Sequence, residues 1–383
     1  MDIIGVTGTS GKTSCTHLVA EALHLLGKSS GIIGTIGYGA YGHLMPARLT
    51  TPDATELQSI FADLHEQHIQ YVAMEVSSHG LVQKRIKGLS FKVGMFTNLT
   101  HDHLDYHLTM EAYGAAKETF FTDYPMEHAI INQDDAFGRH LIRELSPKKS
   151  ILTYGIDPRY DHDIYAIDIK DNHPLSATVV TPWGRGQLST FLLGRFNLSN
   201  LLAVLGSLCL LDIPFKEALQ TLSSLRAPAG RMEVLGGGKQ PSVVIDYSHK
   251  PDALQSVLVA LRPMLRGTLY CIFGCGGDRD KEKRPIMARI AEEHADQVIV
   301  TNDNPRTEDP HEIIQAIMTG FKNPQRVAVE PDRARAIAKT IRLAQPGDMV
   351  LIAGKGAELY QEIGKEKIPF SDRKEATAAL ENY

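Results

Sequence analysis

The sequence predicts an α/β protein of two successive domains, each built on a mainly parallel sheet. Three observations predict it. Short apolar runs alternate with helical stripes over residues 2–144 and again over 242–353, the pattern of parallel strands joined by helices. Polar, glycine-bearing loops follow several of the apolar runs, where open parallel sheets place their ligands. Between the two alternating regions the pattern breaks twice, at 151–193 and at the stretch RAPAGRMEV, 226–234.

The first element, DIIGVT at 2–7, is an almost wholly apolar run of strand length. Cys15, Leu18, Val19, Ala22, Leu25 and Leu26 then fall on one helical stripe over 13–26, which Gly27 ends. Further strands are expected at 31–36, 70–76, 92–97 and 128–132, with helices at 54–67, 110–121 and 134–144. Residues 151–193 read as antiparallel strands separated by turn residues, a small β insertion. Helices resume at 197–211 and 215–224. The stretch RAPAGRMEV reads as a linker and divides the chain into domains at 1–228 and 229–383. After it, strands at 242–246, 268–273, 296–301, 326–329 and 348–353 alternate with helices at 251–263, 284–294, 310–319 and 332–343, a Rossmann-like second domain.

Composition bounds the function classes. Of 383 residues, 43% are hydrophobic and 22% charged, enough apolar material for two cores. A formal net charge of −5 offers no electrostatic case for nucleic acid or an anionic membrane as partner. No run of 18 apolar residues marks a membrane span, and the N-terminus lacks the basic and apolar regions of a signal peptide. Cys15, Cys209, Cys271 and Cys275 form no zinc-type double pair, so reduced thiols in a cytoplasmic protein are expected.

The strongest motif is IIGVTGTSGKTS at 3–14: a strand, a glycine-rich turn, Lys-Thr, then a helix. This is the layout of a phosphate-binding loop, in which Gly8, Thr9, Ser10, Gly11 and Ser14 surround the phosphates, Lys12 reaches the terminal ones and the Thr13 hydroxyl takes Mg²⁺. The first glycine of the general pattern falls on Val6, whereas the tighter form G-T-x-G-K-T fits fully. Glu75, in MEVSSHG, ends a strand of the same sheet and is placed to ligate Mg²⁺; a solvated strand-end acid is the plain alternative. The run TNLTHDHLDYH at 97–107 follows another strand and gathers His101, His103, His107, Asp102 and Asp105, which could hold a metal, zinc included, or orient a reacting group. Lys117, in YGAAK, reads from its neighbours alone as an ordinary exposed lysine.

In the second domain three polar loops end strands: FGCGGDRD at 273–280, TNDNPR at 301–306 and AGKGAE at 353–358. The first is a poor dinucleotide fingerprint, because no helix starts promptly after it. Loops at strand carboxyl ends converge on one crevice. Arg279, Arg306 and Glu358 would offer it two cations and one anion, a set suited to a zwitterion such as an amino acid.

Together these motifs resemble the Mur ligases, ATP-dependent amide-forming enzymes of peptidoglycan synthesis, and the resemblance runs through LTTPDA, EAYGAAK, GRFNLSNLLA, GRMEV, IDYSHKPDAL, DNPRTEDP and FSDR to cover essentially the whole chain. It implies that ATP phosphorylates the D-glutamate carboxylate of a UDP-muramoyl-dipeptide, and that the amine of a diamino acid attacks the acyl phosphate. By position it implies Lys12, Lys117 and His103 in catalysis, with Lys117 carbamylated, and Thr13, Glu75, His103 and Lys117 about Mg²⁺. Asn200, Arg231, Asp246 and His249 match positions around the nucleotide, and Thr50, Thr51, Ser77, Gln83 and Arg85 positions that hold the acidic peptide. Arg279, Asp303, Asn304, Arg306, Gly354 and Glu358 match the amino-acid pocket, and DNPR is the form associated with meso-diaminopimelate.

The sequence departs from the family at Ser10, Ser14, His101 and Ala357; the last stands where His is common and bears on the pocket wall. The family's N-terminal UDP-binding domain is also not represented, which leaves these expectations open: a truncated form of the three-domain ligase, working alone as a monomer or with the domain supplied by another chain, or a true two-domain ligase acting on a free acid or peptide, as folylpolyglutamate synthases do. A non-catalytic nucleotide-binding remnant is the reading from another class. The intact Lys12, Thr13, Glu75, His103 and Lys117 argue against it.

Overall fold

The computed structural model describes residues 1–146, 150–171 and 173–383. The chain divides into two compact units, Met1–Arg226 and Ala227–Tyr383.

The first unit carries strands β1 (Asp2–Thr7), β2 (Ser30–Gly34), β3 (Gly37–Ala40), β4 (Tyr71–Glu75), β5 (Phe91–Phe96), β6 (Met126–Asn132), β7 (Ser150–Gly155), β8 (Ile164–Lys170), β9 (Leu175–Thr181) and β10 (Gly184–Thr190). They make one sheet in the order β10-β9-β8-β7-β6-β5-β1-β4-β2-β3. From β2 to β8 every neighbouring pair is parallel; β3, β9 and β10 add antiparallel edges. The 151–193 region therefore extends the main sheet: β7 and β8 continue it in parallel, and only β9 and β10 form the expected antiparallel strands. Strand β3, on a glycine-rich segment with little apolar pattern, is not foreseen by the sequence.

Helices α1 (Lys12–Leu25), α2 (Ala54–Glu66), α3 (Ser78–Val82), α4 (Leu104–His107), α5 (Met110–Thr122), α6 (Ala136–Leu145), α7 (Arg195–Leu210) and α8 (Phe215–Leu222) accompany the sheet. Helix α7 is apolar nearly all round and packs on α1, β6 and β7, so it lies buried. On α2 the buried positions Leu57, Ile60, Phe61 and Leu64 recur at helical spacing, and the Asp53 side chain caps the first turn through the Thr55 and Glu56 amides. The core joins Ile33, Val72, Met74, Phe91, Phe96, Phe120 and Ile131, which unites the sheet with α2 and α5.

The topology fixes where ligands can sit. Strand β1 is central, with β4 on one side and β5 on the other, so the order reverses around it and opens a crevice at its carboxyl end.

The second unit carries β11 (Arg231–Gly236), β12 (Ser242–Asp246), β13 (Leu269–Phe273), β14 (Gln297–Val300), β15 (Ala328–Val329), β16 (Met349–Ala353) and a hairpin of β17 (Tyr360–Ile363) and β18 (Glu366–Pro369). Its main sheet has the order β11-β12-β16-β13-β14-β15, parallel except for β11. Helices are α9 (Pro251–Leu261), α10 (Lys283–His294), α11 (Pro310–Met318), α12 (Arg333–Leu343) and α13 (Asp372–Glu381). Val243, Ile245, Ile272, Val350 and Ile352 of the strands meet Ile337 and Ile341 of α12 and Ala376 and Leu380 of α13 in one core. Part of RAPAGRMEV proves to be strand, because Arg231 onward pairs with β12 across a register shift. The hairpin and α13 are further elements that the sequence reading does not contain.

Candidate active site

In the first unit the phosphate loop leaves β1 and enters α1 at Gly11, which adopts φ 85°. Glycine is required at Gly8: a Cβ there would collide with the Thr97 Oγ1. The loop is tied to the β5 end, with Ser10 N–H donating to Asn98 Oδ1 at 2.9 Å and Thr97 Oγ1 to Ser10 O at 2.6 Å. Lys12 Nζ bends back onto the carbonyl oxygens of Gly8 at 2.9 Å and Thr9 at 3.0 Å, a resting place from which it can move to phosphate oxygens.

Glu75 ends β4 almost fully buried, at 1% exposure. Its Oε1 accepts from Thr13 Oγ1 at 3.0 Å and from the Thr35 amide at 2.8 Å. A hydroxyl and a carboxylate placed together beside a phosphate loop are the hard oxygen donors a magnesium ion takes. Among the described residues no three His, Cys, Asp or Glu side chains are grouped to hold a metal by themselves. Thr13 and Glu75 would offer such a cation two oxygens.

Lys117 corrects its residue-level reading as an exposed lysine. It is 1% exposed on α5, its Nζ donates to Gly8 O at 2.9 Å, and it stands 4.4 Å from the centre of the Tyr113 ring. Tyr113 also links to Thr9 Oγ1 at 3.1 Å, and burial pushes its phenol up. His103 stands edge-on to this ring, 5.9 Å between centroids, and pairs with Asp102 at 3.0 Å. It is left-handed, with φ 53°, an uncommon conformation outside glycine that collects at functional sites. His79 stacks on Tyr106 with centroids 4.1 Å apart, and His107 meets Ser78 Oγ at 2.9 Å; burial holds both imidazoles toward the neutral form.

The β4 end continues into a polar ledge. Thr51 Oγ1 donates to Glu75 O at 2.8 Å and contacts Ser77 Oγ at 3.0 Å. Arg85 reaches Thr51 O at 2.7 Å and Gln83 Oε1 at 2.6 Å, and Thr50 Oγ1 meets Thr35 Oγ1 at 3.0 Å. Asn200, on α7, accepts from Cys15 Sγ at 3.5 Å. Burial pushes the Cys15 thiol up.

In the second unit the loops after β14 and β16 interlock. Lys355 is 0% exposed, and its Nζ donates to Glu358 Oε2 at 2.7 Å and Asn304 Oδ1 at 2.8 Å. Asn304 Nδ2 donates to the same Glu358 oxygen at 2.9 Å. Arg306, with φ 53°, pairs through Nε with Glu362 at 3.0 Å and through Nη1 with Gly277 O at 2.8 Å. Arg279 is exposed and bonds its neighbour's carbonyl, Asp278 O, at 3.0 Å. Gly354 has φ 119°, and a Cβ there would stand 2.5 Å from Asp303 Oδ2. Asp303 is buried beside Arg333, and burial pushes its carboxyl up. Asp246 accepts from the Met232 and Ser248 amides at 2.8 Å each, while Arg231 lies over Tyr247, 4.5 Å from the ring centre. His249 Nδ1 stands 2.8 Å from Tyr247 O.

Comparison with known proteins gives this geometry a family. Residues 6–208 match the Mur ligase middle domain and 230–356 the Mur ligase glutamate ligase domain. The chain belongs to the Mur ligase family. It is 48% identical, over 99% of its own length and 78% of the relative's, to UDP-N-acetylmuramoyl-L-alanyl-D-glutamate–2,6-diaminopimelate ligase of Coxiella burnetii. The ligase of the same name from Pseudomonas aeruginosa is 50% identical with the same coverage. A solved structure of an enzyme of that name superposes with TM-score 0.74 at 37% identity, covering 100% of this chain and 78% of that one. Mycobacterium tuberculosis folylpolyglutamate synthase, TM-score 0.76 at 18% identity over 92% of this chain and 88% of that one, shares the fold.

Within this Mur ligase, Thr13 and Glu75 are in direct contact, and Lys117 and His103 gather about Tyr113. The second unit's loops differ from the sequence picture of two cations facing one anion: Arg306 and Glu358 are each already paired, with Glu362 and Lys355. Sequence reasoning passed over Lys355 and Glu362. Lys355 stands in AGKGAE three residues before Glu358, a spacing that signals a pairing; Glu362 lies on a hairpin with little sequence pattern.

Proposed function

We propose that the chain is an ATP-dependent ligase that joins a diamino acid, meso-diaminopimelate, to the D-glutamate of UDP-muramoyl-L-alanyl-D-glutamate in peptidoglycan synthesis, a cytoplasmic reaction. The observation that carries the reading is identity of 48–50% over 99% of the chain to ligases named for that reaction. The γ-phosphoryl group passes to the glutamate carboxylate and ADP departs; the diamino acid's amine then attacks the acyl carbon, loses a proton and displaces inorganic phosphate.

Each residue has work in that scheme. Lys12 moves from the Gly8 and Thr9 carbonyls to the γ-phosphate. Thr13 and Glu75 would hold Mg²⁺, which neutralises charge on the phosphoryl oxygens. The ledge of Thr50, Thr51, Ser77, Gln83 and Arg85 takes the acidic end of the peptide, while Asn200, Arg231, Asp246 and His249 serve the nucleotide. Arg306 and Arg279 face the distal carboxylate of diaminopimelate, which lysine lacks, and Glu358 its ammonium. Lys117, carbamylated, would be an anion beside the phosphates that keeps an N–H for Gly8 O.

The test is ligation by the purified 383-residue chain with ATP, Mg²⁺, UDP-muramoyl-dipeptide and either diaminopimelate or lysine, followed by product mass. Product with diaminopimelate alone is expected. Preference for lysine, or for a free peptide over the UDP-linked one, would overturn the substrate assignment.

A further inference from the structure

We propose that Lys355 is a positioning residue of the amino-acid pocket: it fixes the Asn304 amide and the Glu358 carboxylate so that Glu358 presents one oxygen to the ammonium of the incoming diamino acid. This rests on the reading above, in which Asn304 and Glu358 face that substrate.

A fully buried ammonium is costly unless its charge and its donors are answered. Lys355 is answered by motif residues. Glu358 and Asn304 lie 2.7 and 2.8 Å from Nζ, Asp303 Oδ1 lies at 3.9 Å, and the Tyr360 ring stands 5.8 Å away. Asn304 and Glu358 are in turn joined at 2.9 Å, so the three side chains close a triangle of hydrogen bonds.

The triangle removes an ambiguity that a lone asparagine would have. An ammonium only donates, so the atom Asn304 turns toward Lys355 must be its oxygen. That oxygen also accepts from the Glu362 amide at 3.0 Å. The amide nitrogen is thereby forced toward Glu358. Both donors then fall on Oε2 of Glu358, and Oε1 takes no hydrogen bond among the described residues. The Glu358 side chain is 24% exposed, so solvent or a ligand can reach it while its carboxylate stays anchored at one oxygen. Without Lys355 the Asn304 amide can turn over, and Glu358 loses its counter-ion next to the Asp303 carboxylate. The phosphate loop belongs to the other unit and is untouched.

The experiment is steady-state ligation by the 383-residue chain at saturating ATP and UDP-muramoyl-dipeptide, with diaminopimelate varied. It compares the unsubstituted chain with Lys355→Met, Lys355→Arg, Glu358→Gln and the Lys355→Met/Glu358→Gln pair. Losing a charged hydrogen-bond partner is expected to raise KM for diaminopimelate on the order of 10–100-fold, with kcat and KM for ATP nearly unchanged. Lys355→Arg recovers most of the loss. Lys355→Met adds little once Glu358 is Gln, because both act through one carboxylate. Should the Met variant fail to fold, Lys355→Gln, which keeps donors without the charge, takes its place. An unchanged KM, full additivity in the double variant, or a fall of kcat and melting temperature with a rise in both KM values overturns the proposal. Ligation by the unsubstituted chain with indifferent Lys355 variants sinks this inference alone. No ligation by the unsubstituted chain sinks the substrate reading and this inference with it.

Discussion

Both units place polar loops at the carboxyl ends of parallel strands, yet they hold those loops by different means. In Met1–Arg226 the phosphate loop is held largely by backbone groups: Lys12 and Lys117 both rest on Gly8 O, and Thr97 and Asn98 bond Ser10. In Ala227–Tyr383 ionic side chains answer one another: Lys355 with Glu358, Arg306 with Glu362, Arg333 with Asp372. A cation on a carbonyl oxygen can leave for a phosphate at small cost. A fully buried cation such as Lys355 or Arg333 cannot leave its partner without stranding a charge. The first site is therefore built to exchange its contacts, the second to keep them.

The sharpest break in this comparison is one substitution in each unit. Lys12→Ala should lower kcat on the order of a thousandfold, about 4 kcal/mol of barrier, because it removes a cation from the transferring phosphoryl group. The fold should stay intact, since Lys12 is only half-buried and packs into no apolar core; single-turnover ATP cleavage and a melting curve check both halves. Arg333→Leu should do the reverse. Arg333 and Asp372 are both 0% exposed and bonded through two nitrogens at 2.7 and 2.8 Å, and Arg333 also donates to Ala353 O at 2.9 Å. Stranding Asp372 should cost about 3–5 kcal/mol. Hydrogen exchange should show α12 and α13 loosened first. A melting temperature unchanged in Arg333→Leu would erase the contrast.

Acidification should separate the units next. His17, on α1, is half-buried, with its Nδ1 buried and without a hydrogen-bond partner among the described residues, and desolvation holds its pKa down at about 4 against an ordinary 6.5. The unfolded chain thus binds the proton first. Stability is full above pH 6.5 and is lost as pH falls toward 4, by about 3 kcal/mol if the whole shift is expressed. In the second unit Glu308 is held down at about 2, against 4.5, by hydrogen bonds from Arg284. Its contribution is present above pH 4.5 and lost only toward 2. Local hydrogen exchange from pH 7 to 3 should show α1 weakening before the Arg284–Glu308 contact, and His17→Phe should flatten the earlier loss. Simultaneous weakening, or an unchanged profile in His17→Phe, would count against this order.

The same contrast governs how far each unit could be read beforehand. The phosphate loop is one contiguous stretch whose glycines, lysine and threonine have local reasons, so its residues and its place after β1 were legible. Glu75 was legible too, because a strand end is a place that topology defines. Lys117 was not legible from its neighbours: its burial comes from α5 packing under the loop, a contact of residues 109 apart. In the second unit the motifs were visible, but not who pairs with whom. Glu362 and Arg306 are brought together by a hairpin whose strands have four residues each and little alternation. Helix α13 is marked only faintly: Ser371 caps it and Ala376, Ala379 and Leu380 sit on one face, but two of those three are alanines, a weak apolar stripe.

Helix caps, with the smallest effects, carry the comparison down to single turns. Asp53 starts α2 by accepting from two amides, Thr55 at 3.0 Å and Glu56 at 2.9 Å. Asp309 starts α11 by accepting from one, His311 at 2.8 Å, and Pro310 follows it at the first helical position. Proline has no N–H to satisfy there, and its fixed φ already suits the helix, so less is left for the aspartate to do. Asp53→Ala should cost about 1 kcal/mol in denaturant unfolding, and Asp309→Ala clearly less. Equal costs would mean that the proline does not substitute for the second hydrogen bond. A larger cost at Asp309 would point to the loop that runs from Asn304 through Glu308 into this cap: strain there would be passing back to the paired side chains around Lys355.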